Sequence, residues 1–374
     1  MNICIVNCSS TYEQYRVDML RLVLIEDGHE VTALASDFLH IEKKKRDDHK
    51  DGYVYFEAIP YQKNLSIQRI RSYTDISAKM FRYVEENIEK FDLLWIVFPP
   101  NTFVRDAYRL KQEHPEVKIV LDLIDLWPES MPVGISSDVF PMSVWKNRRD
   151  KYIGCADHFV SECDLFRTRI AKAAEGIPAT TIYLARTDNG YAPDLHLDED
   201  SLHLCYLGSV NNIIDIDAVG NILRELNKCK PVTMHVIGGG EKIDLLLDVC
   251  RQNSSKLEFH GKVFDRDEKK RILDGCHYGL NVMKKTVCVG LTMKSMDYIE
   301  FGLPVINNIE GDTWDIIDRL GIGYNIGDGT DYGRITDYDV SMRGKVREFF
   351  EKELTCEVFD RKVRSVISSV SESK

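Results

Sequence analysis

Residues 289–304, VGLTMKSMDYIEFGLP, place a glycine turn, a hydroxyl, a cation and a carboxylate in the order that a phosphate-binding helix start requires. Thr292 can cap a helix and Gly302 can stop it, with Pro304 just beyond, so the residues between them read as a short helix entered through the Gly290 turn. A helix start offers N–H groups without intrahelical acceptors and the positive end of a dipole, which together can hold a phosphate or pyrophosphate. Lys294, in the first turn, would add a point charge. Asp297, three residues on and on the same face, could accept two hydrogen bonds from a ribose diol. A capped amphipathic helix whose Lys294 and Asp297 merely face water accounts for the same residue types.

Three more turns belong to the same half of the chain. Val236, Ile237 and the run Gly238, Gly239, Gly240 carry a strand into a helix that begins near Ile243. The run is not a dinucleotide fingerprint, because Ile243 stands where the third glycine would be, and a tight strand-to-helix turn explains it equally. Gly208 and Ser209 follow the strand candidate 203–207. Gly261 ends the candidate 257–260 and leads into KVFDRDE, where the backbone at Lys262 and Val263 could read the edge of a base. All of these turns fall at carboxyl ends of strands, where open α/β sheets bind ligands.

In the first half the notable run is 121–130, LDLIDLWPES. Asp122 falls inside a buried-looking strand and Asp125 at its carboxyl end, so Asp125 is the better placed to orient or deprotonate an acceptor hydroxyl. The plainer reading has Asp125 capping the next turn and Asp122 paired internally. Lys63, Arg69 and Arg71, within 61–72, could meet an acceptor's phosphates, or form a solvated charged face. Residues 139–152, VFPMSVWKNRRDKY, mix Phe140, Met142, Val144 and Trp145 with four cations, which suits either an anionic bilayer surface or a partly buried helix with a basic side. His260 and His277 sit beside or within apolar runs and read as core or wall residues. No metal site is expected, and no nucleophile elbow can be picked out.

The elements that must position these residues alternate. Short runs rich in Val, Ile, Leu and aromatics, at 3–6, 31–35, 53–59, 93–98, 118–124, 158–161 and 181–184, are separated by stretches with apolar spacings of three and four, including one near 17–24 and one over 76–90. Strands that read as continuous apolar runs are covered by helices on both faces. The polar, aperiodic text of 185–201 reads as a linker, after which the rhythm restarts at 203–207, 232–237, 257–260, 278–283, 304–308 and 324–326. The expected organisation is an amino-terminal domain over 1–184, a linker over 185–201, a carboxyl-terminal domain over 202–350, and a terminal helical segment over 351–374 that crosses back. The fold class is α/β, two doubly wound Rossmann-like domains facing a cleft.

Composition narrows the function classes. The 374 residues carry 49 Lys and Arg against 60 Asp and Glu, a net charge of −11, which disfavours a nucleic-acid partner. Ten cysteines without CxxC pairs read as reduced thiols, and the start MNICIV turns polar too early for a signal peptide. These features suit a cytoplasmic protein.

Taken in order, YLGS near Tyr206, VIGGG at Val236, FHGKV at Phe259 and GLTMKSMDYIEFGLPVI resemble the donor domain of GT-B-fold glycosyltransferases, specifically glycosyltransferase family 4. NLSIQRIRSY and DLIDLWPES in the first half resemble segments of bacterial members that build surface polysaccharides. The resemblance implies a retaining, metal-independent transferase without a cofactor, hexosyltransferase-like, that takes a nucleotide-diphosphate sugar as donor and a glycan or lipid-linked glycan as acceptor. It places the diphosphate at Gly290, Leu291, Thr292, Met293 and Lys294, with Gly208, Ser209 and Gly238 in the adjoining turns, the ribose at Asp297 and the base beside Val263. Asp125 and Lys294 would act in catalysis, and Lys63, Arg69 and Arg71 would meet the acceptor.

Two departures from the family pattern stand out. Val289 replaces the first glutamate of the glutamate pair, which suits a deoxy or less polar sugar face, and the arginine and lysine usual after the first donor-domain strand are missing from 209–214. The resemblance also implies work at the inner face of a membrane as a peripheral protein. Two other functions share the fold: a subunit without turnover that partners an active transferase, and a sugar-nucleotide epimerase.

Overall fold

The computed structural model describes residues 1–8, 13–64, 66–131 and 136–372. The chain divides into two compact units, Met1–Ala185 with Glu357–Lys374, and Arg186–Cys356. In the first unit the strands are β1 (Asn2–Val6), β2 (Glu30–Ser36), β3 (Phe38–Leu39), β4 (Lys44–Lys45), β5 (Tyr53–Phe56), β6 (Leu93–Phe98), β7 (Lys118–Leu123), β8 (His158–Ser161) and β9 (Ala179–Thr181). Seven of them form one parallel sheet in the order β5-β2-β1-β6-β7-β8-β9, and β3 pairs with β4 in an antiparallel ribbon. The apolar run LLWIVF of β6 is buried at every position, as a central strand with helices on both faces must be.

The second unit restarts the pattern with β10 (Leu202–Ser209), β11 (Val232–Gly239), β12 (Lys256–Gly261), β13 (Tyr278–Asn281), β14 (Val305–Asn307) and β15 (Gly323–Asn325). Its sheet is parallel throughout, in the order β12-β11-β10-β13-β14-β15. Strand order reverses between β10 and β13, so the crevice beyond their carboxyl ends is where the topology leaves room for a ligand. One face of this sheet, through Leu204, Tyr206, Met234, Val236 and Leu280, packs on Val219, Leu223 and Leu226 of helix Ile216–Cys229 and on Leu246 and Cys250 of helix Ile243–Asn253.

Helix Cys356–Glu372 leaves the second unit at its first residue and packs with the first, where Arg364 pairs with Asp27 at 2.9 Å. The first half's long helix runs over Ile67–Glu86, nine residues earlier than the apolar spacing alone predicts. Ser66 starts it by accepting the Arg69 N–H at 3.2 Å, a hydroxyl cap the periodicity cannot register. Among the described residues no helix is long and apolar enough to cross a membrane.

Candidate functional site

The helix start expected from the sequence is present. Helix Met293–Glu300 begins at Thr292, whose Oγ1 accepts the Ser295 N–H at 2.9 Å and donates to Asn281 Oδ1 at 3.0 Å. Asn281 is itself held by a row of carboxamides across three strand ends: its Nδ2 donates to Asn307 Oδ1 at 2.9 Å, and Asn307 Nδ2 donates to Asn325 Oδ1 at 2.8 Å. The cap leaves the N–H groups of Met293 and Lys294 without intrahelical acceptors. Gly302, at φ +64°, and Pro304 end the helix. Tyr298 seats it on the sheet, accepting the Leu207 N–H at 2.8 Å and donating to the Cys205 carbonyl at 3.0 Å, with its ring flat against the bare Cα of Gly279.

Beyond the ends of β10 and β11 lies a cavity of about 400 Å³. Its floor is backbone, formed by Leu207, Gly208 and Ser209 on one side and Ile237, Gly238, Gly239 and Gly240 on the other. The two turns touch: the Val210 N–H donates to the Gly239 carbonyl at 2.8 Å. Gly238, at φ +148°, would carry a Cβ 2.0 Å from the Gly208 carbonyl oxygen, and a Cβ on Gly240 would lie 2.4 Å from that of Val210. Only glycine allows this approach. The walls are Lys262, Val263, Phe264, Lys269 and Asp297. Phe264, 87% exposed, is a flat apolar surface at the cavity's edge.

Lys294 lies directly behind Gly208, with Cε 3.8 Å from where a Cβ on that glycine would be. Its side chain is buried, its Nζ sits 3.9 Å over the Tyr206 ring, and that nitrogen has no hydrogen-bond partner among the described residues. Burial holds its pKa down to about 7. A buried amine without acceptors is costly unless something else uses it. Asp297, one turn on, is pushed up by burial and held back by Arg186, whose Nη2 lies 3.6 Å away. Arg186 also approaches Glu300 at 3.9 Å, and Arg266 bonds that carboxylate directly.

Of the donor-side residues expected from sequence, Gly208, Ser209, Gly238, Val263 and Asp297 share the cavity lining. Gly290, Leu291 and Thr292 are buried outside that lining, and Met293 is exposed. The lining adds three side chains beyond those expected from sequence, Lys262, Phe264 and Lys269. Lys262 and Phe264 follow the glycine that ends β12, which is the one local signal they had. Lys269, in helix Arg266–Asp274, had none.

In the first unit, Arg69 is enclosed by aromatic rings. Its guanidinium lies 4.5 Å from the Trp127 ring and donates to Tyr73 Oη at 2.8 and 3.0 Å and to the Asn64 carbonyl at 2.9 Å. A cavity of about 220 Å³ opens here, lined by Arg69, Tyr73, Trp127, Met131, Met142 and Trp145 among others. Lys63 and Arg71 are exposed and line no part of it; Leu65 of the same stretch lies outside the described residues.

Asp125 accepts the Trp127 Nε1–H at 2.6 Å and the Ser130 hydroxyl, so it caps its own turn, and burial raises its pKa. Asp122 is paired internally with Arg16 by bonds of 2.7 and 2.9 Å and with Trp95 Nε1 at 2.9 Å. Glu162, just past β8, carries no local sequence signal of a functional role. Burial pushes its carboxyl up to about 8. In the stretch 139–152, Arg149 is buried against Glu129 and Asp150, so its charge is not free for a surface, whereas Phe140 and Val144 are exposed.

No family model and no curated protein matches the sequence. Solved structures do match over the whole length. The apo lipopolysaccharide outer core galactosyltransferase WaaB superposes with a TM-score of 0.69 at 11% identity, covering 99% of each chain. Anabaena Alr3699/HepE, solved in complex with UDP, gives 0.65 at 12% identity, covering 99% of this chain and 100% of that one. The N-terminal domain of Candida albicans trehalose-6-phosphate phosphatase gives 0.69 at 11% identity, covering 100% and 97%. The fold is therefore α/β of the kind found in GT-B glycosyltransferases.

Proposed function

We propose that the protein is a glycosyltransferase that moves a sugar from a nucleotide-diphosphate donor to a hydroxyl on a glycan or lipid-linked glycan. The observation that carries this reading is Lys294: a buried amine without a hydrogen-bond acceptor, set behind a glycine-lined cavity and one helical turn from Asp297. A diphosphate in the cavity would meet the backbone N–H groups of the glycine turns, Lys262 and Lys269, and would draw Lys294, behind Gly208, into its charged form. The same groups would stabilise the diphosphate as it leaves, through charge held in place before the reaction begins. Phe264 offers a face on which a base can stack, and Asp297 an acceptor pair for a ribose. Solved structures of the same fold that contain UDP and UDP-glucose support the donor class.

The acceptor falls to the first unit. There Asp125 and Glu162, at the carboxyl ends of β7 and β8, are carboxyl groups with raised pKa that can take or hold a hydroxyl proton, and Arg69 with Trp127 forms an aromatic and cationic wall suited to a sugar. Exposed Phe140 and Val144 beside Arg148 and Lys151 suit a lipid-linked acceptor presented at an anionic inner membrane face. Retention of anomeric configuration, independence from metal and a role in surface polysaccharide synthesis belong to this proposal.

The test is a panel of nucleotide sugars offered with and without glycan acceptors. Melting temperature should rise with at least one donor, and nucleoside diphosphate should be released in wild type but not in Lys294→Ala or Asp297→Ala. Absence of binding to every donor would overturn the reading. Conversion of the donor without any acceptor would replace it with an epimerase.

A further inference from the structure

Along the β10–β11–β12 edge of the second unit, four imidazoles gather on the sheet. His203 Nε2 lies 2.9 Å from Ser201 Oγ, His203 Nδ1 lies 2.9 Å from His235 Nε2, and His235 Nδ1 lies 3.1 Å from His260 Nε2. The His235 and His260 rings meet edge to edge through that nitrogen pair, their planes 5° apart, and His277 Nδ1 accepts the backbone N–H of His203. Glu258, directly across the ladder from His235, brings Oε2 to 3.7 Å from the same Nδ1, while its Oε1 takes Lys256 at 2.6 Å.

We infer that His235 Nδ1, His260 Nε2 and Glu258 Oε2 form a site for one divalent transition-metal ion, zinc being the ion this donor set suits, with a water as fourth ligand. The three ligand atoms all lie within 4.8 Å of one another. Ligands at about 2.0–2.1 Å around a tetrahedral zinc stand roughly 3.3 Å apart, so the His235–His260 pair is already near that spacing; both rings must tilt and Glu258 must rotate for their lone pairs to converge on the ion. Two imidazoles with a carboxylate favour zinc or its neighbours over magnesium, which takes oxygen ligands.

The surroundings complete the arrangement. With a metal on Nδ1, His235 keeps its proton on Nε2 and donates it to His203 Nδ1, and His203 in turn donates from Nε2 to Ser201 Oγ or to the Asp198 carboxylate, 3.5 Å away. That is the outer partner a metal-bound histidine ordinarily has, fixing ring and tautomer. Burial lowers the pKa of His235 to about 4 and also lowers that of His260, so both are neutral ligands at neutral pH. The ladder shifts register between Val236 and Ile237, whose partners are Phe259 and Gly261, so His260 is the extra residue of a bulge, a device that re-aims a side chain. The ion would clip the edge strand to β11 just before Lys262 and Val263, and its role is structural, separate from any donor chemistry.

The test uses the full-length chain, free of purification tags and stripped of metal, titrated with Zn²⁺, Co²⁺ and Mg²⁺. One equivalent of Zn²⁺ should bind and raise the melting temperature, Co²⁺ should give the intense ligand-field bands of a four-coordinate site, and Mg²⁺ should do neither. His260→Gln and Glu258→Gln, both at partly exposed positions, should each lower zinc affinity at least tenfold and abolish the cobalt bands. His203→Ala, which removes only the outer partner, should cost about 10–100-fold. Zinc bound with unchanged affinity by His260→Gln and Glu258→Gln, or no stoichiometric binding by wild type, would overturn the inference.

Discussion

The two units bury cations in opposite states. In the first, Arg16 is 1% exposed and fully engaged: two bonds to Asp122 and a third to the Ile182 carbonyl at 2.9 Å. Arg149 is engaged in the same way by Glu129 and Asp150. In the second, Lys294 is also buried, at 8% exposed, but its nitrogen lies over the Tyr206 ring and has no hydrogen-bond partner among the described residues. A paired buried cation holds a fold together, whereas an unpaired one strains the empty protein and is relieved by an anion. The contrast separates charges that serve the architecture from one kept for a ligand.

The largest effect that could break this comparison lies in the first unit. Asp122→Ala strands Arg16 without its counter-charge and should cost about 3–5 kcal/mol of stability, read from urea unfolding. Lys294→Met should do the reverse and stabilise the empty protein while weakening nucleotide-sugar binding by ~1.5–3 kcal/mol, roughly 10–100-fold, by calorimetry. If Lys294→Met destabilises the chain and leaves donor binding intact, the two cations are alike and the contrast fails.

Acidity sharpens the point. The folded pKa of Lys294, about 7, is below its ordinary 10.5, so between these values the unfolded chain holds a proton that the folded chain has released. Its cost to stability is therefore greatest below pH 7 and fades as pH rises toward 10.5. Donor affinity should run the other way. Above pH 7, binding must take up a proton, so affinity for an intact nucleotide sugar should fall by up to tenfold per pH unit, and calorimetry in buffers of different ionisation enthalpy should register the uptake. A flat profile from pH 7 to 9 would remove Lys294 from the anion site. The smallest expected effect is that of Phe264→Ala, which removes a stacking surface and should weaken donor binding by about 0.5–1.5 kcal/mol, with little change in melting temperature because the ring is exposed.

What could be read from the sequence was local. The helix start at Thr292, its end at Gly302 and the glycine turns after β10 and β11 each depend on a few adjacent residues, and the two parallel sheets follow from continuous apolar runs. What could not be read was pairing across the sheet. Asp122 is 106 positions from Arg16, and His203, His235 and His260 come from three strands, so their spacing along the chain carries no trace of their contact. His260 reads as a wall residue because the bulge that turns it toward His235 leaves no mark in an alternation pattern. Arg69 reads as a surface cation because its aromatic enclosure depends on Trp127, far along the chain.

The carboxamide row Asn281, Asn307 and Asn325 links the cap at Thr292 to the outermost strand of its sheet. Asn281 and Asn307 each donate to the next member, so an aspartate at either sets an acceptor against an acceptor, whereas Asn325 accepts within the row and donates to the Trp314 carbonyl and the Asp318 carboxylate. The helix that carries Lys294 and Asp297 therefore takes its bearing from the sheet's far margin, and a change at Asn325 can misalign it through the row.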